Sequence, residues 1–304
     1  MADQPCGFLV LDKAAGLTSH ACVSRVRRAY GLKRVGHGGT LDPAVTGVLP
    51  IALGPATRLL PYLEGDKTYR GVVQLGVRTV SDDLEGEVLG RAAVPALTEA
   101  DLEAALAAFR GAIQQVPPQV SAVHVEGQRA YARVRQGEQL QLAARPVTVQ
   151  QLELLGWDAA AGSLELLVRC SAGTYIRALA RDLGEALGCG GALARLRRTE
   201  ALGFSLAQAV PLEHLDQAPL PALLDPLAAL ARLPRRQLDE AELAGWRCGR
   251  ALAATPSPAP LETGPPLAAG QPVAVLAPDG NLAGMARASD GGLLQPKLVF
   301  NATG

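Results

Sequence analysis

The run Gly36-His37-Gly38-Gly39-Thr40-Leu41-Asp42-Pro43 brings one carboxylate, one imidazole and three glycines into eight positions. The Asp42-Pro43 step fixes an acid at a turn, and the glycines let backbone approach a ligand closely. No other acid occurs between Lys13 and Leu41, a stretch that carries Arg25, Arg27, Arg28, Lys33 and Arg34. With Lys13 these cations read as a basic surface, which suits a phosphate backbone better than a small neutral metabolite. An aspartate before proline is, on its own, an ordinary helix or turn cap. Two other segments change that reading. Lys67-Thr68-Tyr69-Arg70 places a tyrosine at the head of a strand, and Gly173-Thr174-Tyr175-Ile176-Arg177 places a tyrosine and an arginine at the first turn of a helix.

Hydrophobic periodicity supplies the elements that must hold these groups. Cys6 to Leu11 reads as a short buried strand, and Leu17-Thr18-Ser19 opens a basic helix that Gly31 stops. Tyr69 to Val77 alternates in period two. Thr98 and Asp101 form a capping box ahead of a helix that ends at Gly111. Val147–Trp157 and Ser163–Cys170 read as strands joined at Gly162, followed by a helix from about Thr174 to Leu187, closed by Gly188. Past residue 235 the character shifts: Thr255 to Pro272 is rich in Pro, Ala and Gly. Val273–Leu276 and the Pro278-Asp279-Gly280-Asn281 turn then indicate a small β-domain.

A chain of 304 residues accommodates a large domain and a small one. With 48% hydrophobic and 19% charged residues and a formal net charge of zero, the composition is that of an ordinary globular protein, so RNA contact would rest on local sign asymmetry. Five scattered cysteines without C-x-x-C spacing indicate reduced thiols and neither a disulfide framework nor a zinc site. No apolar run reaches membrane-spanning length and no signal-peptide pattern opens the chain, so a cytoplasmic protein without membrane partner is expected.

In order and spacing, the segments Gly7-Phe-Leu-Val-Leu-Asp-Lys13, the His37/Asp42 loop, Lys67-Thr-Tyr-Arg70, Ser121-Ala-Val123, Gly127-Gln-Arg-Ala-Tyr131, Gly173-Thr-Tyr-Ile-Arg177 and Leu196-Arg-Arg-Thr199 resemble the bacterial TruB-type tRNA pseudouridine synthases. The resemblance covers about residues 6 to 215. It implies a mixed α/β catalytic domain over residues 1–234, with a central mixed, largely antiparallel sheet. A small β-rich PUA-like RNA-binding domain over 235–304 is expected after it, on the weaker signals Pro278-Asp-Gly and Pro296-Lys-Leu-Val-Phe300. It further implies isomerisation of uridine 55 in the TΨC loop of tRNA, with the base flipped out. The reaction takes no cofactor and no metal, and a monomer acting without guide RNA is expected.

By the same resemblance Asp42 is the essential acid, attacking sugar or base or stabilising charge on the sugar, and the sequence leaves these three open. Arg177 is its electrostatic partner, and Tyr69 stacks on the target base with its phenol available as a base. His37 inserts near the flipped nucleotides. Tyr175 and Leu196 line the uracil pocket, although a core position suits Leu196 equally well. Lys13 lies near that pocket, either touching RNA or in an internal ion pair, while Arg195, Arg197 and Arg198 hold phosphates. His124 departs from the lysine many relatives carry there, which leaves its role open.

Three rival readings give way. An RNA-folding module without catalysis conflicts with the presence of Asp42, Tyr69 and Arg177 together. A guide-dependent synthase of the dyskerin type normally carries basic extensions, whereas this chain starts almost directly at the catalytic fold and has no lysine-rich tail. A nucleotide-phosphate cradle would need a G-K-[ST] ending or a G-x-G-x-x-G fingerprint, and neither is present.

Overall fold

The computed structural model describes residues 5–302 except 122, 126, 135, 137, 139 and 255–266. Most of the proline-rich stretch before the last β-strands, and Ala122 within the Ser121-Ala-Val123 segment, thus lie outside the described residues.

A ten-stranded mixed sheet forms the large domain. Its order runs Val210–Pro211, Gly7–Lys13, Thr46–Leu53, Gly191–Ala201, Lys67–Leu75, Ser163–Cys170, Arg145–Asp158, Gly111–Gln115, with Val35–His37 pairing to Thr46–Leu53 and Phe204–Ser205 to Gly191–Ala201. Two of these pairings are parallel, Gly7–Lys13 with Val210–Pro211 and Thr46–Leu53 with Gly191–Ala201, and the rest are antiparallel. A five-stranded sheet built from residues 235 onward forms the β-rich C-terminal domain.

Local signals account for the elements that matter to the site. The Ser163–Cys170 strand alternates half-buried and buried residues along its length, as a strand covered on one face must. Helix Ser19–Ala29 starts where the Thr18 side chain accepts the Ala21 N–H, and it buries Ser19, Cys22, Val23 and Val26. Helix Glu99–Ala107 carries the reciprocal Thr98–Asp101 capping box. Helix Ile176–Ala186 lays Ile176, Ala180 and Leu183 against Leu193 of the central strand within the main core. The expected strand from Tyr69 to Val77 is broken at Gly76, whose positive φ turns the chain into a separate short strand Val77–Thr79.

All five cysteines are free thiols, and Cys22, Cys170 and Cys189 are buried. Burial pushes the Cys170 thiol up to about 11, which makes it unreactive at neutral pH. No helix is long and apolar enough to cross a membrane among the described residues.

Candidate active site

Asp42 stands between two residues whose backbone is pinned. On one side the buried Ser19 hydroxyl donates to the Leu41 carbonyl at 3.1 Å and accepts the Leu41 N–H at 2.9 Å. On the other side the Pro43 carbonyl accepts from Lys13 Nζ at 3.0 Å and from the Gly16 N–H at 2.9 Å. Lys13 also donates to Ala14 and Leu17 carbonyls at 2.9 and 2.7 Å and is fully buried. The expectation of RNA contact at Lys13 is therefore corrected, because solvent does not reach its ammonium and all three N–H groups are spent on carbonyls. Its alternative, an internal ion pair, is also replaced by this carbonyl clamp. Hydrogen bonds to a charged donor contribute roughly 1.5–3 kcal/mol each, enough to hold the loop.

The carboxylate so held lies 2.9 Å from Arg177 Nη2. The arginine is 9% exposed and the aspartate 47%, so the cation is sunk into the wall while the acid faces the opening. Arg177 also donates to the Ser81 carbonyl at 2.8 Å and the Val120 carbonyl at 3.1 Å, and its Nη1 lies 3.6 Å from Asp83 Oδ2. The guanidinium fork is thus fixed on four sides and presents one edge to Asp42. Asp83 and Ser19 have no signal in the sequence that marks them. They enter the site by folding alone, Asp83 on a segment held by the 2.8 Å Arg181–Asp82 ion pair.

Both acids and Arg177 line a cleft of about 770 Å³, together with Leu84, Arg70, Leu193, Leu196 and Arg197. Leu196 faces Gly71 across the paired strands, and a methyl carbon placed on Gly71 would sit 3.2 Å from Leu196 Cδ1. Arg197 makes a two-pronged pair with Asp12 at 3.0 and 2.7 Å, which leaves it partly exposed on the cleft wall.

Arg198 behaves otherwise. It is wholly buried, donating to the Val48 carbonyl at 2.7 Å and the Gly39 carbonyl at 3.1 Å. The expected phosphate contact at Arg198 is corrected on that ground: this cation braces the Asp42 loop from beneath. Close approach of the loop strand depends on Gly47 (φ 103°), since a methyl carbon there would meet the Arg198 carbonyl at 2.1 Å.

Tyr69 is 7% exposed, directly across from Arg198 in the strand register. Burial pushes its phenol up, more strongly than the adjacent Arg198 charge draws it down, so the hydroxyl keeps its proton at neutral pH. His37, half-buried at the end of strand Val35–His37, has its pKa lowered by burial and then by Arg198, which leaves a neutral ring. Tyr175 occupies the N-cap of the Arg177 helix, its backbone clasped by Gln115 at 2.8 and 3.1 Å, and packs against Val123, Ala130 and Leu140. It does not line the cleft. His124 is exposed on a two-residue strand. Among the described residues no group of three or more metal-binding side chains converges.

Known proteins resemble this chain in sequence and fold. A model of the TruB family pseudouridylate synthase N-terminal domain matches residues 27–176, and one of the tRNA pseudouridylate synthase B C-terminal domain matches residues 177–230. A protein of Parasynechococcus marenigrum (strain WH8102) named tRNA pseudouridine synthase B is 63% identical over 302 residues, covering 99% of this chain and 100% of that one. A like-named protein of Synechococcus sp. (strain WH7803) is 58% identical and covers 99% of each chain. Among solved structures, an H/ACA RNP bound to a substrate RNA containing 2'-deoxyuridine is similar with a TM-score of 0.74 and 25% identity, covering 97% of this chain and 84% of that one. The chain therefore belongs to the TruB family of pseudouridylate synthases.

Proposed function

We propose that this protein isomerises a uridine of tRNA, at position 55 of the TΨC loop, acting as a cytoplasmic monomer without guide RNA, cofactor or metal. The observation that carries the reading is the Asp42–Arg177 pair, an acid facing a roomy cleft with its cation buried behind it. The names of the full-length relatives support tRNA as the substrate class.

In the reaction the N1–C1′ bond of uridine breaks, the uracil turns, and a C5–C1′ bond forms; N1 gains a proton and C5 loses one. Atoms and electrons balance without an added reagent. The target leaves the base stack at a cost of a few kcal/mol, and the neutral His37 ring suits the vacated space better than a charged one would. Tyr69, 7% exposed and beneath the residues that line the cleft, would offer its flat face to the uracil once the base enters. Asp42, its charge balanced by Arg177, is the essential group at the sugar–base bond. Arg197 and Arg195 border the cleft where phosphates would pass, and residues 235–304 act as a PUA-like module that extends the RNA contact.

Tyr69→Phe is expected to leave transcript affinity unchanged while lowering kcat by roughly 10²-fold if the phenol handles a proton. Single-turnover rates decide this, and an unchanged rate leaves only the stacking role.

A second reading, a catalytic subunit directed by a guide RNA, draws on the RNP structures. Incubating the purified protein with an unmodified T-stem-loop transcript alone, then mapping pseudouridine chemically, separates the two. Product at a single uridine without any added RNA is the expected result, and strict dependence on a guide overturns stand-alone action.

A further inference from the structure

Four cations lie around the Asp42 loop, and three of them donate hydrogen bonds to protein acceptors. Lys13 is bound by three carbonyls, Arg177 by two carboxylates and two carbonyls, and Arg198 by two carbonyls and the Tyr69 hydroxyl, although its buried Nη1 finds no partner among the described residues. The fourth, Lys67, donates no hydrogen bond and joins no ion pair among the described residues. The charged or titratable neighbours acting on it are Arg198, which repels it, and the neutral Cys170 thiol. Burial and Arg198 together lower its pKa, a cost that no protein anion offsets.

Its position is specific. Lys67 and Tyr69 are two residues apart on strand Lys67–Leu75, so they share a face about 6.6 Å apart. A methyl carbon on Gly39 would sit 3.4 Å from Lys67 Nζ, which places the ammonium against the glycine step of the Asp42 loop, where backbone is open to close approach. Lys67 is only partly buried, so the amine retains a way out to solvent.

We infer that Lys67 binds a backbone phosphate of the RNA strand next to the nucleotide held at Asp42 and Tyr69. The inference rests on the reading of the cleft as an RNA site. It makes Lys67 a substrate-binding residue that fixes how far the strand enters. A phosphate suits this site better than a base carbonyl because no protein anion pairs with the ammonium among the described residues and a full anion relieves the repulsion from Arg198.

The test compares wild type with Lys67→Met and Lys67→Gln in binding an unmodified T-stem-loop transcript between about 50 and 200 mM salt. Affinity is expected to drop roughly tenfold, and the plot of log K against log salt to become shallower by roughly 0.7–0.9, the mark of one lost phosphate contact. Melting temperatures should hold or rise, since a partly buried cation repelled by Arg198 and without a protein partner among the described residues is removed. An unchanged slope overturns the inference, even where affinity falls, because a neutral contact then accounts for the loss. Wild type provides a check that does not depend on the variants: of the four lysines, Lys67 should be shielded by transcript from an amine-acylating reagent, read by mass spectrometry, and equal labelling with and without RNA overturns the contact. A wild type that binds no RNA overturns both readings. One that binds and converts its transcript but shows neither a slope change nor protection overturns the Lys67 contact alone.

Discussion

Asp42→Asn is expected to abolish pseudouridine formation, a loss of at least about 10³-fold in single-turnover rate, while transcript affinity stays within a few-fold of wild type. Asparagine keeps the size of the side chain and an oxygen that can still face Arg177 Nη2, so the pinned loop between Leu41 and Pro43 has no reason to move. What disappears is the charge. The neutral amide can neither attack as a carboxylate nor offset positive charge on the ribose. Binding survives because phosphate contacts come from cations on the cleft wall, and an acid among phosphates contributes no attraction. Quench-flow with chemical mapping of pseudouridine reads the rate, and filter binding reads the affinity. Residual turnover within tenfold of wild type would remove Asp42 from the reaction.

The second large effect is expected at Arg177. Methionine there fills the volume but takes the Arg177 donors from the Ser81 and Val120 carbonyls and the shared cation from two carboxylates, Asp42 and Asp83. Breaking a buried pair from one side costs about 3–5 kcal/mol; half-exposure of Asp42 places this case at the lower end. For a chain of this size that corresponds to a fall in Tm on the order of 6–12 °C. Loss of the cation behind the acid should also reduce kcat by roughly 10²-fold or more at a temperature where the variant is folded. Arg177→Lys keeps the charge without the fork, and a partial recovery of kcat without recovery of Tm would show that charge and scaffold are separable. Full activity in Arg177→Met would make the arginine structural only.

The elements legible in the sequence are those in which one physical rule acts alone. Thr98 and Asp101 sit at the spacing a capping box needs and form one, and Ser163–Cys170 alternates as a one-sided strand does. Strand Thr46–Leu53 is hidden because nearly every residue in it is buried, which erases alternation, and because Pro50 argues against a central strand. Its register tolerates the proline: the Pro50 carbonyl still accepts the Gly38 N–H at 2.8 Å. The central strand Gly191–Ala201 misleads for a different reason. Arg195, Arg197 and Arg198 read as one basic cluster, yet alternation sends neighbours to opposite faces, so Arg197 borders the cleft while Arg198 is sealed beneath the loop. The family resemblance pointed to Asp42 and Arg177, which the fold brings within 2.9 Å. Ser19 and Asp83 left no trace, since a buried serine and an acid in a turn look ordinary until a distant segment supplies their partner.

The two sheets share an apolar cluster: Phe8, Val10 and Val48 of the large sheet pack with Leu59, Leu230 and Leu233, and Ala274, Met285 and Leu298 of the small one join them. Of those residues, Val10 lies on the strand of Lys13, and the Val48 carbonyl itself accepts from Arg198 at 2.7 Å. The small domain therefore serves as the backing plate of the strands that brace the Asp42 loop. Trimming the chain at the domain junction would strip oil-like surface bare directly behind the chemistry, so a truncated form would suffer in rate as well as in grip on RNA.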